Sequence, residues 1–97
     1  HSASAGGGIG YNQTWQNVSA TRAWNTTYTN STSAPILVSI NATDRPGASG
    51  FNATLYVNNI AIDVFQGTSQ AIIPISSSYK VTGNTLFMLL NSWQELR

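Results

Sequence analysis

Three acidic side chains, Asp44, Asp63 and Glu95, and one histidine, His1, are the groups of this sequence suited to general acid–base work. A hydrolase built on two carboxylates needs them to converge at about 5–10 Å. The sequence puts the three in a loop, a strand and the closing segment, and Asp63 reads as the solvent side of an alternating strand. A Ser-His-acid arrangement needs a histidine held by the fold, and His1 precedes a run of Ser, Ala and Gly. That placement also argues against a His/Asp metal site. With no cysteine there is no disulfide, no thiolate zinc and no thiol nucleophile. Gly6-Gly7-Gly8-Ile9-Gly10 has the glycines of a phosphate loop, but no strand precedes it and no lysine follows. We therefore expect no catalytic residues, no metal and no cofactor, and a protein that is not an enzyme.

The remaining chemistry is that of binding. Only 7% of the residues are charged, with a net charge of +1, against a usual ~25% charged. Ser, Thr, Asn and Gln supply 38 of the 97 residues, so the surface is wetted by hydroxyls and amides. Four scattered cations make no footprint for nucleic acid and no patch for an anionic membrane. The longest apolar run, residues 86–90, is far below the ~20 residues of a membrane span. Six Asn-x-Ser/Thr triplets begin at Asn12, Asn17, Asn25, Asn30, Asn41 and Asn52. They fit glycosylation acceptors, but fit better as a by-product of Asn and Thr ladders on a neutral β surface.

The elements that must position these side chains are strands. Thr, Ile, Val and aromatics dominate, Glu and Lys occur once each, and turn signals recur every eight to twelve residues. The pattern predicts an all-β, antiparallel sandwich with strands over 14–20, 26–30, 36–41, 52–57, 60–65, 70–75, 79–82 and 85–90. Asn58-Asn59 suits a type I′ hairpin turn, since Asn tolerates positive φ. The strongest loop signal is residues 44–50. Residues 1–10 read as a Gly-rich linker or neck, and 11–97 as a single domain. The 91–97 segment reads as a polar tail whose Trp93 and Leu96 dock on the body.

Two stretches together carry a resemblance. Gly10-Tyr11-Asn12-Gln13-Thr14-Trp15-Gln16-Asn17-Val18-Ser19, then Arg22, Thr27-Tyr28-Thr29-Asn30 and Pro35-Ile36, resemble the C-terminal domain of bacteriophage tail fibres and tailspikes. The closing Trp93-Gln94-Glu95-Leu96-Arg97 is similar to that family's terminus. The likeness covers residues 10–97, strongest over the first thirty. It implies a jelly-roll-like β-sandwich, assembled as a homotrimer in a tail appendage of the virion. It further implies that the domain acts outside the host cell, on a bacterial surface polysaccharide or other host receptor.

Within that resemblance, Trp15, Arg22, Tyr28 and Asn30 read as framework, with Trp15 and Val18 buried and the others bridging strands. Trp24 stands where the family more often has a smaller residue, which makes it a candidate for stacking on a sugar. Asp44 and Arg45 in the 44–50 loop, and Tyr79 after the 76–78 break, are the other candidate ligand contacts. Two further roles stay open: a trimerisation or folding domain of the fibre, and a carbohydrate-binding module accessory to a depolymerase.

Overall fold

The computed structural model describes residues 8–97. Eight strands follow in order: β1 (Trp15–Asn17), β2 (Tyr28–Thr29), β3 (Ile36–Asp44), β4 (Ala53–Val57), β5 (Ile60–Phe65), β6 (Gly67–Ile73), β7 (Ser78–Thr82) and β8 (Met88–Leu96). They form two four-stranded antiparallel sheets, ordered β1-β8-β3-β6 and β2-β7-β4-β5. Along the chain, β4 pairs with β5, β3 with β6, β2 with β7 and β1 with β8. The chain is thus one ribbon folded back at its middle. The ribbon is then rolled until β8 also reaches β3 and β7 also reaches β4. This is the jelly-roll arrangement of two facing sheets, and the all-β sandwich expected from the sequence is what forms.

The fold-back point is Asn58-Asn59, with φ of 50° and 65°. Both residues lie in the left-handed region, as a type I′ turn requires. The core lies between the sheets. In β3, Ile36, Val38, Ile40 and Ala42 alternate inward and are buried, and Leu55, Ile73, Val81, Met88 and Trp93 meet them. Each of the larger aliphatic side chains among them contributes about 1.5–3 kcal/mol by leaving water.

Several strand bounds change, among them that of β3, which runs past the expected end at 41 to Asp44. The expected strand at 14–20 stops at Asn17, whose Oδ1 accepts the Ser19 N–H at 3.0 Å and the Ser19 hydroxyl at 2.7 Å. That local turn draws Ser19–Thr21 into a 3-10 turn. The expected 26–30 strand shrinks to Tyr28–Thr29, because the chain is still turning at Asn25, where φ is 60°. Residues 67–69, expected in a loop, belong to β6. The largest change is at the end. Residues 85–87 form a turn, and the supposed polar tail continues β8, between β1 and β3.

The reason lies at Asn91. The β3–β8 register runs Asn41↔Ser92 and then Ala42↔Leu90, so Asn91 is an extra residue in β8. A bulge of this kind switches the phase of alternation. Met88 faces inward before it, and Trp93 and Glu95 after it. The Asn91 amide holds the bulge by donating to Asn41 Oδ1 and Thr43 Oγ1, both at 2.8 Å.

The proposed linker at 1–10 falls on residues 1–7, outside the described residues, and on a turn at 8–10. There the Tyr11 N–H bonds to Gly8 O at 3.1 Å. Gln13 accepts the Gly10 N–H and donates to Pro35 O at 2.9 Å, which ties the turn to the start of β3.

Candidate functional site

The polar centre of the molecule is Glu95, only 2% exposed because it points between the sheets. Arg22 leaves the 3-10 turn and clasps it with two parallel bonds, Nη2 to Oε1 at 3.0 Å and Nε to Oε2 at 3.1 Å. The Tyr79 hydroxyl donates to Glu95 Oε2 and accepts from Trp93 Nε1 at 3.2 Å. Arg97 completes the set, its Nε 3.1 Å from Glu95 Oε1. The Arg22 guanidinium also lies 4.6 Å from the centre of the Tyr28 ring, which meets Trp93 edge-on at 5.8 Å.

Burial, and then the hydrogen bond to Glu95, push the Tyr79 hydroxyl above the usual tyrosine range. It stays protonated and serves as a donor. Burial works against the charge on Arg22, but its bond to Tyr79 and the attraction of Glu95 outweigh that and raise its pKa. Asn30 forms a second buried node. Its amide donates to Ala34 O at 2.9 Å and Ile73 O at 3.0 Å, and its Oδ1 accepts the Thr32 N–H at 3.1 Å. Arg22, Tyr28 and Asn30 therefore join strands of both sheets, and Trp93 and Glu95 act with them.

Two expectations are corrected here. Tyr79 is 2% exposed and cannot meet a ligand, because β7 carries it inward opposite Val57. Trp15 is not buried but 49% exposed. Its register with Leu96, which in turn faces Leu37 and then Ile72, puts all four on the outer face of one sheet. They form an apolar row there, flanked by the amide and hydroxyl row Asn17, Gln94, Ser39 and Gln70.

Trp24 is also a packing residue. Its ring lies so close over Gly83 that a Cβ added there would stand 2.6 Å from Cζ3, and the ring packs on the core. Asp44 shapes its own loop, taking the N–H groups of Gly50 and Phe51 at 3.1 and 3.3 Å. Arg45 is the exposed member of the four. It opens a turn through Pro46 and Gly47, whose φ of 86° needs glycine. Its guanidinium donates to Thr85 O, with Nη2 at 3.3 Å. The structure thus leaves Trp24 and Tyr79 in the frame and puts Asp44 and Arg45 at one end of the sandwich.

That end holds residues that sequence reasoning missed. Leu86 is 77% exposed, and Phe87 is 44% exposed and stacked on Phe51 at 4.9 Å. The Arg45 N–H donates to Phe87 O at 2.8 Å, so cation and ring are fixed together. Residues 85–90 read as a strand because all but the first are apolar. The signal against it was Asn84, whose Oδ1 accepts the Leu86 N–H at 3.0 Å and starts a turn. At the other end of β3, about 25–30 Å away at ~3.3 Å per residue, an open cleft of about 270 Å³ lies between the turn at Tyr11–Gln13 and the loop at Thr32–Ala34. Arg97 lines it and also lines a smaller cleft of about 90 Å³ over Arg22 and Glu95.

The remaining acids have local partners. Asp63 Oδ2 accepts the Ser69 hydroxyl at 2.5 Å, so the three carboxylates are engaged at three separate places. No family model, curated protein or solved structure matches the chain.

Proposed function

We propose that this domain is an adhesin of a phage tail appendage, which holds a bacterial surface glycan without transforming it. The observation that carries the reading is the Arg45 end. There an exposed aromatic ring, an exposed leucine and a guanidinium stand together on loops braced by a rigid sandwich. Exposed apolar side chains at loop tips mark contact surfaces, and a ring face beside hydrogen-bond donors suits a pyranose. The motif resemblance over 10–97 and the uncharged, amide-rich surface point the same way.

Assembly as a homotrimer belongs to the same proposal. Its support is the apolar row Trp15, Leu96, Leu37 and Ile72, together with the edge strand β5, where Ile60, Ile62 and Val64 are 66%, 49% and 63% exposed. No lysine or proline guards this edge, and its apolar side chains outweigh the two breaks it does carry, Asp63 and the bulge at Ile62. The same surfaces favour the second reading, a domain that registers three chains while another part of the fibre meets the host.

Competition with phage adsorption tests the choice. Purified domain should displace phage from host cells, and Phe87→Ala or Arg45→Ala should weaken displacement while leaving the fold intact. A domain that forms trimers but never displaces phage supports the registration reading instead.

A further inference from the structure

We infer that the cleft bounded by Tyr11, Asn12, Ser33 and Arg97 is a second carbohydrate contact, built for one pyranose ring whose acceptor-rich edge faces Arg97. The inference rests on the adhesion reading only for the source of the sugar.

Its volume of about 270 Å³ lies just under the ~300 Å³ at which small-molecule sites begin, which suits a single ring. The walls are fixed. Gln13 spends its amide on Gly10 and Pro35, and the Thr32 hydroxyl is held between Asn30 Oδ1 and Ala34 O. Those bonds make the two sides of the cleft parts of the frame, so its shape exists before any ligand arrives. The side chains left to face an occupant are of the kinds that bind sugars.

Tyr11 is 55% exposed, an aromatic face at the rim. Asn12, at φ 52°, and Ser33 are exposed polar residues on opposite walls. Arg97 has its Nε turned to Glu95 at 3.1 Å and its side chain 41% exposed. Ring stacking, an amide, a hydroxyl and a guanidinium converge from three separate stretches of the chain. A ring hydroxyl, an acetyl carbonyl or a carboxylate would each accept from the guanidinium.

The test is a titration of the intact ¹⁵N-labelled domain with methyl α-glucoside, N-acetylglucosamine and glucuronic acid, read by amide shifts. We expect saturable shifts at 11–13, 32–34 and 97 with at least one sugar, at millimolar Kd. Tyr11→Ala should raise that Kd roughly three- to tenfold, and Ser33→Trp, which fills the cleft, should abolish the shifts in a folded domain. Absence of these shifts with all three sugars, or shifts that survive Ser33→Trp, overturns the inference. The adhesion reading fails separately, if the parent domain does not displace phage from cells. If it displaces phage and no sugar enters the cleft, only the second contact is lost.

Discussion

Replacing Arg22 with alanine should be the most costly single truncation on the polar side of this fold. The substitution strips Glu95, at 2% exposure, of both bonds of its two-point clasp. Breaking a buried ion pair from one side costs about 3–5 kcal/mol, because the surviving charge stays buried. Arg97 remains 3.1 Å from Oε1 but is 41% exposed, so it compensates in part and the lower bound of about 3 kcal/mol applies. Loss of the Arg22–Tyr28 contact at 4.6 Å adds roughly 0.5–1 kcal/mol. A domain of this size has about 5–15 kcal/mol in all, so the variant folds but narrowly. At about 4–8 °C per kcal/mol, Tm should fall on the order of 14–32 °C, read by circular dichroism at one fixed protein concentration. The pair Arg22→Met with Glu95→Leu should recover only part of the loss: apolar residues replace a buried ion pair at little cost, but the Tyr79 hydroxyl loses its acceptor. A drop of less than ~4 °C for Arg22→Ala would refute the reasoning and leave Arg97 as the true partner of Glu95.

Tyr79 provides a pH signature. Its folded-state pKa is raised, so the folded chain holds the proton to higher pH than the unfolded chain does. Its contribution is complete below the usual value near 10 and declines above it, by up to about 1.4 kcal/mol per pH unit. Urea midpoints should stay level up to about pH 9 and then fall, and Tyr79→Phe should flatten that fall. Gly83→Ala forces a methyl group into the Trp24 ring and should cost about 1–3 kcal/mol by chemical denaturation. An unchanged midpoint would mean that Trp24 is free to leave. Ile60→Lys together with Ile72→Lys should turn the proposed trimer into a monomer by light scattering. If the mass stays that of the parent, neither apolar surface lies at the subunit contact.

Much of the sandwich was legible because its signals are local. The alternation in β3 comes from four inward β-branched or small residues in a row, and Asn58-Asn59 names its own turn. The last strand was not legible because its pattern is broken by one residue. Asn91 resets the phase, and Glu95 occupies an inward position, so a strand in the middle of a sheet looked like a polar tail. Only tertiary contacts, those of Arg22 and Tyr79 with Glu95, show that a carboxylate belongs there. Site residues suffered in the same way. Trp24 and Tyr79 are large aromatics beside turn signals, and nothing local distinguishes a ring that stacks on a ligand from one that covers a glycine. Leu86 and Phe87 were hidden by the opposite error, since an apolar run reads as buried until Asn84 is seen to turn it outward.

The mirrored pairing of the strands has a mechanical consequence. Thr14 and Arg97 exchange both backbone hydrogen bonds, at 3.2 and 3.1 Å, so the first and last strands leave the sandwich side by side. A load pulling these two points apart opens the ribbon like a zipper, one pair of bonds at a time, and meets little resistance. A load entering at Thr14 and leaving through the Arg45 end runs along β1, β8 and β3 instead, and must shear many bonds together. The same domain is therefore weak against being peeled and strong against being pulled lengthwise. A tether that grips with its far loops while a particle drags on the near end would bear on it in the strong direction.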